Sequence, residues 1–408
     1  MNCRNCNKII ERSFVDLGHA PPSNSYLKIE DLAKPEKTFP LRVMVCEHCW
    51  MVQTEDNESR EELFHADYAY FSSTSSGWLK HAECYVDMIM ERLKLGPSSL
   101  VIEVASNDGY LLKNFVTKNI PCLGIEPTLE TAEASKKYGI PVISEFFGNA
   151  LAKSILTKYR KADLIVGNNV YAHVPDIHDF TQGMKTVLNA SGTITLEFPH
   201  FYNLLKFKQF DTIYHEHFSY LTLSVVSDIF HAHGLKIFDV EELSTHGGSL
   251  RVYGCHEEDP RPISLNVDHI YEKEFAYGLQ SNLAYDEFQS SVDKIKNDLL
   301  LFLIKEKQKG KSIAAYGAAA KGNTLLNYAG LKTDLISFVY DAAPSKQGKL
   351  MPGSHIPILP PTLIQEHRPD WVLILPWNIA EEIQTQYSGI KNWGGKFFAA
   401  IPEIRIFD

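Results

Sequence analysis

From about residue 97 onward, short apolar runs alternate with stretches of helical periodicity. SSLVIEVAS reads as a strand, YLLKNFVTKN as a helix and PCLGIEP as a second strand. A helix around LETAEASKKYG, strands at PVISEF and ADLIVGNNV and, after a further helix, one at GTITLEFP continue the series. This alternation predicts a mostly parallel, doubly wound sheet. LKIFDVEEL and SLRVYGC have the pattern of two closing strands. Residues 266–310 are charged and helix-like and read as a connection. The alternation then restarts in KSIAAYGAAAKGNTLLNYAG, ISFVYDAAP and DWVLILPWN, which predicts a second, smaller α/β unit. The first 70 residues carry several prolines and short β-like runs such as LRVMVCEHC. The expected layout is an α/β chain of three domains: a small module at 1–70, a larger α/β domain at 71–265, a helical connection at 266–308 and a smaller α/β domain at 309–408.

Length agrees with this division, since 408 residues exceed one ordinary core. With 44% hydrophobic and 22% charged residues the composition is that of a globular protein. No apolar run approaches the roughly 18 residues of a spanning helix, and MNCRNCNKIIERSF lacks an apolar signal core. A cytoplasmic location is the default expectation, with no membrane partner. The net charge of −10 argues against a nucleic-acid partner, which usually demands a basic face. It leaves room for one small anion held at a helix N-terminus or by a single cation.

Four of the seven cysteines form two C-x-x-C pairs, Cys3 with Cys6 and Cys46 with Cys49. Two residues between thiolates let a tight knuckle aim both sulfurs at one ion. Two knuckles supply the four tetrahedral ligands of a closed, structural zinc site. The 39 residues between the pairs exceed a minimal ribbon, so that loop is expected to carry strands of its own. His19 or His48 is a candidate substitute ligand.

The first strand of the larger domain runs through Glu103 into Ala105, Ser106, Asn107, Asp108 and Gly109, and a helix follows. Small residues in a strand-to-helix turn let a ligand approach backbone N–H groups. The repeated glycines of a dinucleotide fingerprint are missing. An acidic residue before the turn suits a ligand with a cationic ammonium and sulfonium, as S-adenosylmethionine has. Glu126 at the tip of the second strand is placed to accept both ribose hydroxyls. Asn168 and Asn169 end the fourth strand, where open α/β sheets bind ligands, and His173 follows a few residues on. The cofactor candidates are therefore Glu103, Ala105, Asn107, Gly109, Glu126, Asn168 and Asn169.

Tyr214-His215-Glu216-His217 packs four reactive side chains into successive positions. One reading is a metal site, although the H-E-x-x-H spacing is absent. The other is proton chemistry. A C–H beside a ketone becomes a carbon nucleophile once a base takes its proton and a donor steadies the enolate. His217 is the candidate base, Glu216 the carboxylate that orients it, and Tyr214 or His173 the donor.

Together these motifs resemble the family of sugar C-methyltransferases that act on nucleotide-linked deoxy sugars. The resemblance runs over essentially the whole chain: the paired C-x-x-C, E-V-A-S-N-D-G-Y-L-L, N-N-V-x-A-H-V-P-D, Y-H-E-H-F-S-Y, T-H-G-G-S-L-R and the late Y-G-A-A-A-K-G-N-T-L-L. It implies zinc on Cys3, Cys6, Cys46 and Cys49, and S-adenosylmethionine in a Rossmann-like middle domain. It also implies a smaller Rossmann-like C-terminal domain that helps hold a dTDP-linked keto sugar. Tyr214, Glu216, His217 and His173 are implied to lie at the sugar. So is a tyrosine ahead of the first middle-domain helix, Tyr70, with Tyr68 close by. Ser249 and Arg251 of the T-H-G-G-S-L-R segment, with Lys321, Asn323 and Lys349 of the last domain, are the expected substrate contacts. Lys321 at a helix start suits a pyrophosphate. A monomer is expected.

A rival class is a zinc-containing, nicotinamide-dependent oxidoreductase acting on a sugar nucleotide, whose foothold is the late strand–turn–helix with Asp341 at the next strand end. A third, a zinc-ribbon nucleic-acid methyltransferase, is opposed by the acidic balance.

Overall fold

The computed structural model describes residues 1–56 and 71–407. In the N-terminal segment β1 (Ser13–Ala20), β2 (Phe39–Val45) and β3 (Val52–Thr54) form an antiparallel meander, with Ser13 opposite Met44 and Val45 opposite Val52. While Met44 is buried on one face of β2, Leu41, Val43 and Val45 alternate along the strand and are buried on the other. They enter a core shared with Phe201 and Ile213 of the middle region, Leu299 and Leu303 of a later helix, and Leu326 and Met351 of the last unit. Among the described residues the cysteine-bearing module thus has no sealed core of its own. It is wedged between the two α/β units.

The helix Ser76–Leu93 opens the middle unit. Ser75 caps it by accepting from the Trp78 N–H, and Ala82, Tyr85, Val86 and Ile89 form its buried stripe. The strands that follow are β4 (Val101–Val104), β5 (Cys122–Ile125), β6 (Val142–Ile143), β7 (Ala162–Asn168), β8 (Leu188–Pro199), β9 (Ser219–Tyr220), β10 (Leu235–Leu243) and β11 (Ser249–His256). Seven of them form one sheet in the order β10-β11-β8-β7-β4-β5-β6. It is parallel from β8 to β6 and is closed by antiparallel β11 and β10. The chain winds outward in both directions from the β4–β7 pair, so the carboxyl ends of those two strands flank a crevice where ligands bind in such sheets. β9 leaves this sheet and pairs with β3, Val52 opposite Tyr220, as the fourth strand of the N-terminal meander.

The segment read as one helical connection is two helices, Leu265–Tyr277 and Phe288–Gln308. The first ends because Gly278 takes the left-handed conformation and its N–H closes on Glu274 and Phe275. The second buries Phe288, Val292, Ile295, Leu299 and Leu303, and Phe288 stacks on Phe14 of β1 with ring centroids 4.6 Å apart. It is a packing element as much as a connection.

The last unit contains β12 (Ile313–Tyr316), β13 (Val339–Tyr340), β14 (Ile358–Leu359), β15 (Trp371–Ile374), β16 (Lys396–Ala399) and β17 (Arg405–Phe407), in the order β14-β13-β12-β15-β16-β17. It too is parallel except at the final strand, and its reversal of order lies between β12 and β15. Among the described residues no helix is long and apolar enough to cross a membrane.

Candidate active site and zinc centre

Each cysteine knuckle is closed by backbone hydrogen bonds and a left-handed residue four places after its first cysteine. Asn7 donates to the Cys3 carbonyl at φ 59°, and Trp50 to the Cys46 carbonyl at φ 61°. The four sulfurs lie within 4.8 Å of one another, with Cys3–Cys49 at 3.4 Å and Cys6–Cys46 at 3.6 Å. A zinc tetrahedron with bonds near 2.3 Å has edges of about 3.8 Å, so the donor set fits that ion. Contact with Cys3 and burial push the Cys49 thiol up, and burial raises Cys46, as expected of thiolates that need a cation. Neither His19 nor His48 joins the cluster.

The turn after β4 holds three left-handed residues in five: Ala105 at φ 57°, Asn107 at 48° and Gly109 at 78°. For alanine and asparagine that conformation costs on the order of 1 kcal/mol each and persists only where surroundings enforce it. Glu126 enforces it. Its Oε2 accepts from the Asn107 N–H at 2.9 Å, and its Oε1 accepts from the N–H and hydroxyl of Thr128. Beneath the turn Glu103 is buried with neither carboxylate oxygen partnered, and burial, then Glu126 and Asp108, push its pKa well up. Ser106 Oγ, Asp108 Oδ1, both polar atoms of the Asn168 side chain and Asn169 Oδ1 are also buried without partners. Three carboxyl groups and a set of idle polar atoms at the switch point fit a cationic, polar ligand, which is the chemistry of the methionine end of S-adenosylmethionine. The Ser72 and Ser73 N–H groups lie against Asn107 and Asp108. Tyr68 and Tyr70, just before them in sequence, lie outside the described residues.

Across the crevice, Tyr214 to His217 forms a turn closed by the His217 N–H on the Tyr214 carbonyl at 2.9 Å. The fold-back brings the Tyr214 and His217 rings to 4.0 Å, and His173 stands 4.6 Å from His217. His217 Nδ1 donates to the Thr212 carbonyl at 2.8 Å. Burial, then His173, push its pKa well below the usual range, so the ring is neutral and Nε2 carries the lone pair. The expectation that Glu216 orients this ring is corrected here: the Thr212 carbonyl holds Nδ1, while Glu216 Oε1 accepts from Asn24 Nδ2 of the cysteine module at 2.6 Å. His215 turns the other way, its Nε2 3.4 Å from the Phe39 carbonyl. His215 and His217 therefore do not converge, and the four cysteines are the only metal-ligand cluster among the described residues. His173 is held near pKa 4 by burial and donates to the Glu216 carbonyl.

Lys321, at the start of the helix Ala320–Tyr328, donates to Asn378 Oδ1 at 2.7 Å and sits 4.7 Å over the Trp377 ring. Trp377 Nε1 donates to Asp211 Oδ2 at 2.7 Å, and burial pushes that carboxyl up to about 6. Asn323 is buried with both side-chain polar atoms unpartnered. Lys321 thus reaches the histidine cluster from the last domain, while Lys349 lies half-buried on the turn between β13 and β14. Ser249 and Arg251 sit behind the site. Ser249 Oγ donates to the Thr245 carbonyl, and Arg251, 4% exposed, donates to Glu197 and Glu241. The turn after β12 is filled by the protein itself. Tyr26 Oη and Lys346 Nζ donate to the Ala318 carbonyl, and Asp341 accepts from the Ala318 N–H. A dinucleotide would need that space, so the oxidoreductase reading is not favoured.

Sequence reasoning missed Asn24, Tyr26, Asp211, His246, Lys346 and Trp377. Most reach the site from distant segments with no motif around them. His246 had a signal: a histidine followed by two glycines between two strands.

A doubly wound sheet with an acidic, left-handed turn at its switch point, joined to a four-thiolate centre, defines a zinc-binding, S-adenosylmethionine-dependent methyltransferase. Three family models match the chain in succession: a zinc binding domain at residues 3–64, a methyltransferase domain at 78–240 and a C-methyltransferase C-terminal domain at 244–402. The C-methyltransferase NovU of Streptomyces niveus is 33% identical over 404 residues, 99% of this chain and 96% of that protein. The chain belongs to this family of C-methyltransferases. Among solved structures, magnesium protoporphyrin IX methyltransferase from Synechocystis PCC 6803 with bound SAM is 14% identical, covers 43% of this chain and 79% of its own, and has a TM-score of 0.32. A SAM-dependent methyltransferase from Thermotoga maritima is 14% identical and covers 47% of this chain and 98% of its own, with a TM-score of 0.36.

Proposed function

We propose that the enzyme methylates the carbon beside the ketone of a dTDP-linked keto-deoxy sugar, through an enolate, as a monomer in the cytoplasm. The observation that carries this reading is the state of His217, a neutral imidazole with Nδ1 committed to Thr212 and Nε2 left as a base. S-adenosylmethionine, when bound, supplies an electrophilic methyl group on sulfur. Glu103, Ala105, Asn107, Gly109, Glu126, Asn168 and Asn169 hold it, with Glu126 at the ribose. His217 takes the proton from carbon, and Tyr214 lies against its ring. Tyr214 is assigned to the sugar, and Tyr70, outside the described residues, keeps the same expected role. Glu216, tied to Asn24, fixes the turn that presents His217 and accepts no proton from it. Lys321 and Asn323 face the nucleotide diphosphate, with Lys349 farther out, and Ser249 and Arg251 position the segment behind the sugar.

Replacing His217 with Ala is expected to lower kcat by about 10²–10⁴-fold, the usual contribution of a positioned base, with cofactor affinity retained. A dTDP-linked 4-keto-6-deoxyhexose in D₂O, without methyl donor, should take up deuterium beside the ketone with wild-type enzyme but not with the variant. Exchange that survives His217→Ala and disappears in His173→Ala would transfer the base role to His173. Full methyl transfer by the His217 variant would end the reading.

A further inference from the structure

The turn Thr245–Gly248, between β10 and β11, is built at a conformational cost that its position in the chain does not explain. His246 is left-handed at φ 54°, and Gly247 and Gly248 follow at 90° and 118°. A Cβ on Gly247 would overlap the Trp377 ring, and one on Gly248 would overlap the Asn203 amide. Several elements brace the turn. Thr245 Oγ1 donates to Glu197 Oε1 at 2.8 Å, and Glu197 Oε2 is held by Arg251 and His81 at 2.9 Å each. Gln209 Nε2 donates to the Gly247 carbonyl at 2.8 Å. What this scaffold fixes is the ring of His246. Its Nε2 lies 3.0 Å from Asn169 Nδ2, on the cofactor side of the crevice, where Asn169 is itself left-handed at φ 53°. Trp78 packs edge-on at 5.1 Å. His173, His217 and Lys321 are near enough for the charges of these groups to act on one another. Strained backbone at non-glycine positions, gathered on both sides of one crevice, is the signature of a site and not of a connecting loop.

We propose that His246 is a catalytic residue whose imidazole N–H donates a hydrogen bond to the substrate carbonyl oxygen as that oxygen becomes an enolate. This rests on the keto-sugar reading above and adds a residue to it. An enolising site has two posts, one needing a lone pair and one needing a hydrogen-bond donor. His217 fills the first, with its proton on Nδ1 and its lone pair on Nε2. His246 has the complementary arrangement: with Asn169 Nδ2 donating to Nε2, the proton of the neutral ring is on Nδ1. Burial, then the Lys321 cation, hold its pKa near 4, so it serves as a neutral donor. His173 is less suited, because its N–H is already given to the Glu216 carbonyl.

The electron count closes. The C–H bond breaks, its pair becomes the C=C bond, and the carbonyl π pair moves to the oxygen held by His246. The proton goes to His217 Nε2. The carbon then bonds to the methyl group, the S–CH₃ pair stays on sulfur, C=O re-forms, and His217 returns its proton to water.

The test uses the full-length zinc-loaded enzyme with S-adenosylhomocysteine bound and a dTDP-linked 4-keto-6-deoxyhexose in D₂O. His246→Asn is the variant of choice because asparagine tolerates the left-handed backbone. Deuterium uptake and kcat are expected to fall together by about 10²–10³-fold, the usual cost of losing an oxyanion donor. The dissociation constant for S-adenosylmethionine should stay within about twofold. His246→Gly keeps the backbone and opens the space of the ring, so added imidazole should restore part of the exchange. Exchange at the wild-type rate in His246→Asn would overturn the proposal. So would normal exchange with S-adenosylmethionine bound tenfold more weakly, which would make His246 a cofactor residue. Wild-type enzyme that neither exchanges nor methylates this substrate would overturn the keto-sugar reading itself, and the role of His246 with it.

Discussion

His215, Glu216 and His217 are consecutive in sequence yet serve three different neighbours: the Phe39 carbonyl, Asn24 and the Thr212 carbonyl. A turn, unlike a strand or helix, sends adjacent side chains in unrelated directions, so the chemistry of each is set by what it meets. Burial depresses His173, His215, His217 and His246 alike. In the unfolded chain these rings titrate near 6.5. Between that value and their lower folded pKa values the unfolded state binds more protons, so stability rises with pH there. Their neutral burial stabilises fully above about pH 6.5, and the melting temperature should fall as pH drops from there toward 4. A melting temperature flat over that window would mean that these rings are hydrated or paired in solution. Glu126 is the other residue whose role can be isolated. Glu126→Ala removes the proposed acceptor for ribose hydroxyls and, with it, the tether of the left-handed turn at Asn107. Titration calorimetry should show S-adenosylmethionine binding at least tenfold more weakly. An unchanged dissociation constant would place the cofactor elsewhere.

At the level of elements, the expectation concerns the glycine pair behind His246. Gly247→Ala adds one methyl group, in a left-handed residue, where the Trp377 ring already lies. Strain and overlap together should cost roughly 1–3 kcal/mol in stability and displace His246 or Trp377. kcat for methyl transfer should drop by at least tenfold while S-adenosylmethionine binding persists. Wild-type turnover would show that the turn has slack. Both parallel sheets and the turn after β4 were legible in sequence, because buried parallel strands are near-continuous apolar runs and small residues mark a ligand turn. PVISEF and ISFVYDAAP marked the strands at Val142–Ile143 and Val339–Tyr340, although only two residues of each pair, while Ile358–Leu359 holds too few positions to show a period. The Y-H-E-H segment was legible as chemistry and illegible as geometry. That the Thr212 carbonyl holds His217, and that Asn24 reaches Glu216 across 192 positions, are tertiary facts without local pattern.

Across the whole molecule, the described residues of the zinc module are tied to the histidine cluster more closely than to the turn after β4. β3 pairs with β9, Thr54 donates to the His217 and Phe218 carbonyls, and Asn24 holds Glu216. Tyr26 closes the turn after β12. The Asn5 carbonyl, inside the first knuckle, accepts from His178 Nε2 of the middle domain at 2.9 Å. The turn that would hold the methyl donor makes its contacts instead to Glu126, which Thr128 holds in turn, and to Ser72 and Ser73. Because binding of a structural zinc is coupled to folding, removing it should loosen the knuckles first and then the strands and side chains anchored to them. The expected result of Cys46→Ser with Cys49→Ser, or of zinc stripping by a strong chelator, is therefore asymmetric. The melting temperature falls and methyl transfer is lost, while S-adenosylmethionine still binds within a few-fold of its original affinity at temperatures below the new melting point. Adding zinc back to the stripped enzyme should restore turnover. Equal loss of cofactor binding and turnover would make the module a general foldon for the chain, and loss of neither would detach it from the site. Either outcome would break the link between the four thiolates and His217, which runs through β3, β9 and Thr54.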